Sequence, residues 1–165
     1  IMTNDDVQQT ILVAGGCGYI GSHTITCLLE QNYNVVVVDD LSNSKTVSLD
    51  RVATITGLLS EEERAKRLVF YEADLRDETK LREVFEKSPK FTSCIHFAGL
   101  KAVGESTKIP LKYYDVNLGG TFVLLKLLDE FGCHSIVFSS SATVYGAAEK
   151  MPILESTPVG IGITN

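Results

Sequence analysis

The chain has 165 residues, enough to bury one domain-sized core, and its 44% hydrophobic and 22% charged residues are ordinary globular values that exclude wholesale disorder. A formal net charge of -6 and a pI near 5.0 repel phosphate backbones and anionic bilayers alike, which excludes general nucleic-acid or membrane-surface binding. No apolar run nears the roughly 18 residues of a membrane span, and the polar, acidic start IMTNDDVQQT lacks the apolar stretch of a secretory signal, which predicts a cytoplasmic protein.

TILVA, Thr10 to Ala14, reads as a buried strand, and the glycine-rich GGCGYIG follows at once. Ile20, Thr24, Cys27 and Leu28 then recur at helical spacing, predicting a helix to about Gln31 with those residues on its apolar face. NVVVVDD is a second strand, continuously apolar from Val35 to Val38, as a parallel sheet covered on both faces requires. SLDRVATITGLLSEEERAKR starts helix-like and breaks into a charge run that reads as a solvated connection. RLVFYEAD is a third strand, ETKLREVFEK an amphipathic helix ended by Ser88-Pro89, and SCIHFAG a fourth strand. A long helix runs from Pro110 to Gly132, with proline at its start and glycine at its end, and SIVFSSS is a fifth strand. Five βα-type units without a hairpin signal predict an open, doubly wound parallel α/β sheet.

Cys17, Cys27, Cys94 and Cys133 include no C-x-x-C pair, and all but Cys17 fall in apolar periodic stretches. They read as reduced thiols in a cytosolic core rather than disulfides or metal ligands. His23, His96 and His134 are too scattered for a zinc site or a nucleophile constellation.

GGCGYIG contains Gly16-x-Gly18-x-x-Gly21 and also Gly15-x-x-Gly18-x-x-Gly21. Glycines there permit a tight turn and let backbone approach a pyrophosphate, while the following helix offers free N–H groups and its positive dipole end. The pattern follows a strand and opens a helix, the context that a dinucleotide fingerprint demands. Asp39 ends the second strand at about the 20-residue spacing expected of the acid that accepts ribose hydroxyls. A 2′-phosphate would meet that carboxylate directly, which favours NAD over NADP, although Lys45 is close by in sequence. Asp40 reads as plain surface. Asp74 after the third strand and FAGLK after the fourth also lie at C-terminal strand ends, where ligands of open parallel sheets bind.

GGCGYIGSHT, VVDDLSNS, ADLRD, HFAGLKAVGES, YYDVNLGGT and FSSSATVYG together resemble the UDP-galactose 4-epimerase family of extended short-chain dehydrogenases/reductases, in family order over residues 11 to 146. The resemblance implies a Rossmann fold and a hydride loan. NAD takes hydride from C4 of a UDP-hexose while a tyrosine removes the hydroxyl proton, the 4-keto sugar rotates, and hydride returns to its other face. It implies that Gly15, Gly18 and Gly21, with Tyr19 and Ile20, lie along the NAD pyrophosphate, and that Asp39, Leu41, Asn43 and Ser44 hold the adenosine ribose. Asp74 and Leu75 would border the adenine, and Phe97, Ala98, Gly99, Lys101 and Ser139 would meet the cofactor further along. Asn117 would support the active site, and Ser141, with Thr143 beside it, would hydrogen-bond the sugar hydroxyl at the reacting carbon. A serine hydroxyl can polarise that oxygen but is too weak an acid to be activated as base without a partner. A homodimer and the partners UDP-galactose and UDP-glucose follow from the same resemblance.

The family's base is the Tyr of a Tyr-x-x-x-Lys motif, and none of the tyrosines at 19, 33, 71, 113, 114 or 145 is followed by lysine four residues on. Residues 1–165 therefore read as an incomplete NAD-binding Rossmann domain, cut after the fifth strand, with the C-terminal substrate lobe absent and the chain inactive alone. An Ile before the first Met points the same way, to a processed or partial reading frame. The expected consequences are an exposed edge and apolar face around Val137, and self-association. Two rivals are a nucleotide-sugar 4,6-dehydratase, disfavoured because Ala142 and Thr143 stand where its acidic pair belongs, and a non-catalytic NAD-binding module.

Overall fold

The computed structural model describes residues 8–146 and 150–159. In chain order it places β1 at Thr10–Ala14, α1 at Tyr19–Glu30, β2 at Asn34–Asp39, α2 at Val47–Ile55, α3 at Glu61–Arg67, β3 at Leu68–Glu72 and α4 at Glu78–Lys87. There follow β4 at Ser93–His96, the short α5 at Val103–Ser106, α6 at Pro110–Tyr114, a wide π-turn at Asp115–Gly119, α7 at Gly120–Glu130, β5 at Ile136–Phe138 and a 3-10 turn at Ala142–Tyr145.

All five strands are parallel, in the order β3-β2-β1-β4-β5. The doubly wound sheet expected from the sequence is therefore present. Its two faces bury alternate residues of the same strands, because side chains point to opposite sides with period two. Leu12, Ala14, Val36 and Val38 pack with Leu81, Val84 and Phe85 of α4 and Leu124, Leu127 and Leu128 of α7. Ile11, Val13, Val35 and Val37 pack with Ile25 and Leu29 of α1 and Leu49, Val52 and Ala53 of α2. The chain crosses from one face to the other between β1 and β4, so a crevice opens at their C-terminal ends.

Several local expectations are corrected. The buried stripe of α1 is Gly21, Ile25 and Leu29, and not the row of Ile20, Thr24, Cys27 and Leu28. The glycine turn sets this rotation: a Cβ on Gly21 would lie 2.5 Å from the Gly15 carbonyl oxygen, so that face must turn inward. Ile20 and Cys27 consequently face out, and Cys27 is not a core thiol. Cys17, Cys94 and Cys133 are buried, and all four thiols are free. The charge run is a helix, α3, with no buried residue. Ser60 caps it by accepting the Glu63 N–H at 3.2 Å and donating to the Glu63 carboxylate at 2.8 Å, and acids lead and bases end it, as the helix dipole favours. Arg67 then donates to the Leu29 and Tyr33 carbonyls at the end of α1.

The long helix begins at Pro110 as expected and is interrupted by the π-turn, which its apolar periodicity does not show. It ends where expected: Gly132 takes φ 71°, and the Cys133 N–H reaches back to the Leu128 carbonyl at 2.7 Å.

Candidate cofactor and active site

The glycine turn is held by the sheet itself. Gly15 donates to the Val38 carbonyl at 2.8 Å and adopts φ +79°, and a Cβ there would sit 2.5 Å from the Ala98 backbone nitrogen. Gly15 and Gly21 are thus demanded by the chain's own backbone. Gly18 is different: a Cβ on it would meet nothing nearer than the Gly15 carbonyl at 3.4 Å, an ordinary contact. It opens α1 as the N-cap without a side-chain cap, and no acid stands in the first turn. Among the described residues, no acceptor meets the N–H groups of Tyr19, Ile20 or Gly21. Three donors and the positive end of a 12-residue helix therefore face the crevice unmatched.

Asp39, 8% exposed at the end of β2, closes one side. One carboxylate oxygen accepts the Cys17 N–H at 2.9 Å, and the other accepts the Leu41 N–H at 3.0 Å and the Ser44 hydroxyl at 2.8 Å. Three fixed donors orient the carboxylate and leave about one of its four acceptor sites free. The bond from Leu41 also holds that residue at φ 56°, a left-handed conformation unusual for a side chain of its size. Asn43 is exposed in the same loop, and Asp40 is exposed as expected. Burial, reinforced by the Asp39 charge, pushes the Cys17 thiol up to about 12 against a weaker pull from Ser48, so it remains protonated.

After β3, Asp74 is gripped by Arg76, whose Nε donates to both carboxylate oxygens at 3.0 and 3.1 Å. That hydrogen bonding holds the Asp74 carboxyl below its usual value of 3.8. Arg76 also bridges to Asp115 on the π-turn, at 2.5 Å. Leu75 points its side chain into the core against Gly120, so it can present only backbone to the crevice.

After β4, the Phe97 and Ala98 N–H groups both donate to the Ala14 carbonyl, at 2.8 and 3.0 Å, tying the two crevice walls together. Gly99 passes close under Asn117, whose Oδ1 would be 3.3 Å from a Cβ there. Asn117 brackets Leu100, accepting its N–H at 2.7 Å and donating one amide hydrogen to its carbonyl at 2.9 Å. It supports the site by shaping backbone, while Lys101 beyond it is exposed. After β5, Ser139 donates its N–H to the His96 carbonyl at 3.0 Å. Ser141 and Thr143 share a hydroxyl–hydroxyl bond of 2.8 Å on an exposed turn. Every residue singled out from the sequence therefore lies at, or one turn from, the C-terminal edge of the sheet.

Four residues of the site escape sequence reasoning: Arg76, Tyr113, Thr121 and His96 in a role other than metal ligand. His96 is 1% exposed, with Nε2 2.9 Å from the Thr121 hydroxyl and Nδ1 without a partner among the described residues. The four-residue spacing of Tyr113, Asn117 and Thr121 was a readable signal, but in a helix that otherwise looks apolar it passes as noise. Among the described residues no cluster of His, Cys, Asp or Glu is arranged to hold a metal ion. Among the described residues no helix is long and apolar enough to cross a membrane.

Strand order, glycine turn and the acid ending β2 define a Rossmann-type α/β protein. The family model described as GDP-mannose 4,6 dehydratase matches residues 12–160, and the chain belongs to that family. Within it, the chain is 54% identical over 152 residues to the UDP-glucose 4-epimerase of Bacillus subtilis, covering 92% of this chain and 42% of the relative. It is 49% identical to UDP-glucose 4-epimerase 2 of Arabidopsis thaliana, covering 93% and 42%. The crystal structure of UDP-glucose 4-epimerase from Bifidobacterium longum in complex with NAD+ and UDP superposes with a TM-score of 0.83 at 47% identity, covering 92% of this chain and 43% of that one. The chain thus spans about two fifths of the length of these relatives.

Proposed function

We propose that this chain is the cofactor-binding part of a UDP-hexose 4-epimerase and holds NAD across the C-terminal ends of β1, β2 and β4. The observation that carries the reading is the open N-terminus of α1, where three unpaired N–H groups stand beside a glycine that the protein's own packing does not require. A pyrophosphate matches those donors, and the oriented Asp39 matches a ribose hydroxyl while opposing a 2′-phosphate. The relatives' names, and the NAD and UDP of the Bifidobacterium complex, support the particular reaction.

NAD, when bound, supplies the acceptor and donor of hydride for C4 of the sugar. The chain's own contribution is to bind and orient. Glycines 15, 18 and 21 with Tyr19 and Ile20 face the pyrophosphate, and Asp39, Leu41, Asn43 and Ser44 hold the adenosine ribose. Asp74, with the backbone of Leu75, borders the adenine. Phe97, Ala98, Gly99, Lys101 and Ser139 line the path toward the reacting end, which Asn117 shapes through Leu100. Ser141 accepts the Thr143 N–H, and with the Thr143 hydroxyl donating as well it keeps its own proton to offer the sugar oxygen. No Tyr in the 165 residues is followed four positions on by Lys, so proton removal is assigned to no residue of this chain, and the chain by itself is expected not to turn over.

The cytoplasm suits four unpaired thiols. A homodimer suits the exposed apolar stripe of Leu111, Tyr114, Leu118, Phe122 and Leu125 along the long helix.

The test is made on the full-length protein. Wild type should bind NAD more tightly than NADP and interconvert UDP-galactose and UDP-glucose. Asp39→Ala should weaken NAD by about tenfold or more, as expected for loss of a charge-assisted hydrogen bond, and narrow the preference over NADP. Tighter binding of NADP by wild type, or release of a dehydrated 4-keto sugar in place of the epimer, would sink the reading; the second outcome would favour the 4,6-dehydratase that the family description names.

A further inference from the structure

Tyr113, Asn117 and Thr121 are spaced four apart on the long helix, and each bonds a different point of the chain leaving β4. Thr121 pairs its hydroxyl with His96 at 2.9 Å, where the strand ends. Asn117 brackets both backbone groups of Leu100, and Tyr113 directs its hydroxyl at the Ala102 carbonyl at 3.0 Å and the Glu105 carboxylate at 2.7 Å. In a regular α-helix residues four apart drift by about 40° per step. The wider π-turn at Asp115–Gly119 carries more residues per revolution and offsets that drift, so three rungs can face one strip of chain.

The strip needs holding. Gly99 and residues 101 to 105 are exposed, and α5 within it has no buried residue. Phe97 and Ala98 pack against the core where the strip begins, but from Gly99 to Glu105 no side chain is buried to fix Lys101. Asn117's support of the site is part of the function already proposed; Tyr113 and the Thr121–His96 pair are not.

We propose that Tyr113 and Thr121 are positioning residues: as the outer rungs of this ladder they fix the segment from Phe97 to Glu105 and so place Lys101 against the cofactor. The inference rests on the NAD-binding function proposed above. Tyr113 is buried while its hydroxyl alone makes the rung, so Tyr113→Phe keeps the packing and deletes the bonds. Thr121→Val deletes the other outer rung, and Thr121→Ser restores it.

The experiment is a double-mutant cycle on the full-length protein, with NAD dissociation constants measured for wild type, Tyr113→Phe, Lys101→Met and the double variant. Tyr113→Phe is expected to weaken NAD by about threefold to tenfold, the loss typical of a net hydrogen bond, and to have little further effect in the Lys101→Met background. Thr121→Val should weaken NAD likewise, while Thr121→Ser should bind as wild type does. Equal losses from Tyr113→Phe with Lys101 intact and with Lys101→Met already made, or no loss beside intact wild-type binding, overturn the ladder and leave the NAD function standing. Failure of the wild type to bind NAD overturns both.

Discussion

His96 shows how one side chain records its surroundings. The Thr121 hydroxyl has a single proton, and its 2.6 Å contact with the Asn117 carbonyl, which can only accept, claims it. The His96 Nε2 facing Thr121 must therefore carry a hydrogen and donate, leaving Nδ1 bare, buried and without a partner among the described residues. Burial pushes this imidazole below its ordinary 6.5. An unfolded chain takes up the proton below that value and the folded chain does not. The contribution to stability is complete above about pH 6.5 and lost progressively as the pH falls toward the lower folded value. The Asp74–Arg76 pair acts in a separate, more acidic window: its depressed carboxyl stabilises the fold above 3.8 and ceases to do so as the pH drops through the folded value. Nitrogen-15 NMR of the histidine ring is expected to show the Nε2–H form of neutral His96, with a titration midpoint below the ordinary 6.5. A ring that titrates at 6.5 in the folded protein would contradict the buried donor. None of this was legible in the sequence, where His96 is one of three scattered histidines; its role arises only when the fold carries Thr121 across to β4.

Elements were legible to the extent that their own composition creates them. The strands could be read because an unbroken row such as Val35 to Val38 has few alternatives to a doubly covered parallel strand. The rotation of α1 could not, because apolar spacing in YIGSHTITCLLE fits two overlapping stripes. The choice between them is made by the approach of Gly21 to the Gly15 carbonyl, a contact between helix and turn. Likewise α3 is made by its cap and charge order, which hydrophobic periodicity ignores, and the π-turn leaves no mark in an apolar pattern. The glycine contact has a measurable consequence. Gly21→Ala must push α1 away from the turn, because a Cβ would press on backbone that cannot step aside at 2.5 Å from oxygen and 2.7 Å from the Gly16 Cα. Urea unfolding should register a loss of about 1–3 kcal/mol, the usual cost of overpacking, and NAD binding should fall with it as the open helix end shifts. A stability within about 0.5 kcal/mol of wild type would mean that Ile25 and Leu29, and not the glycine contact, set the position of α1.

At the scale of the molecule, one half of the sheet is finished and the other presents apolar surface. Leu12, Val13 and Val37 are fully shielded, whereas Ile136, Val137 and Phe138 of β5 are 38%, 58% and 57% exposed and have β4 as their only sheet neighbour among the described residues. The expectation of an exposed apolar face at Val137 is met for a simple reason: β5 is short, and no described helix follows to cover it. A second apolar surface was not foreseen, because the long helix buries Leu124, Leu127 and Leu128 on one side and so reads as an ordinary amphipathic element. On its other side Leu111, Tyr114, Leu118, Phe122 and Leu125 repeat at three- and four-residue intervals, with Leu111 and Phe122 the most exposed at 81% and 66%. A stripe of that kind on each of two copies can form a self-complementary interface about a twofold axis, whereas an open strand edge extends without closure. The two surfaces therefore predict different particles. Sedimentation velocity of the 165-residue chain should show concentration-dependent association. Phe122→Glu should remove a discrete dimer if the helix stripe makes it, and Val137→Lys should remove larger, heterogeneous species if the strand edge makes those. Their combination should leave a monomer. A wild-type chain that sediments as a monomer throughout the micromolar range would show that neither surface is sticky enough to matter, and with that the support which the stripe lends to a homodimer would be gone.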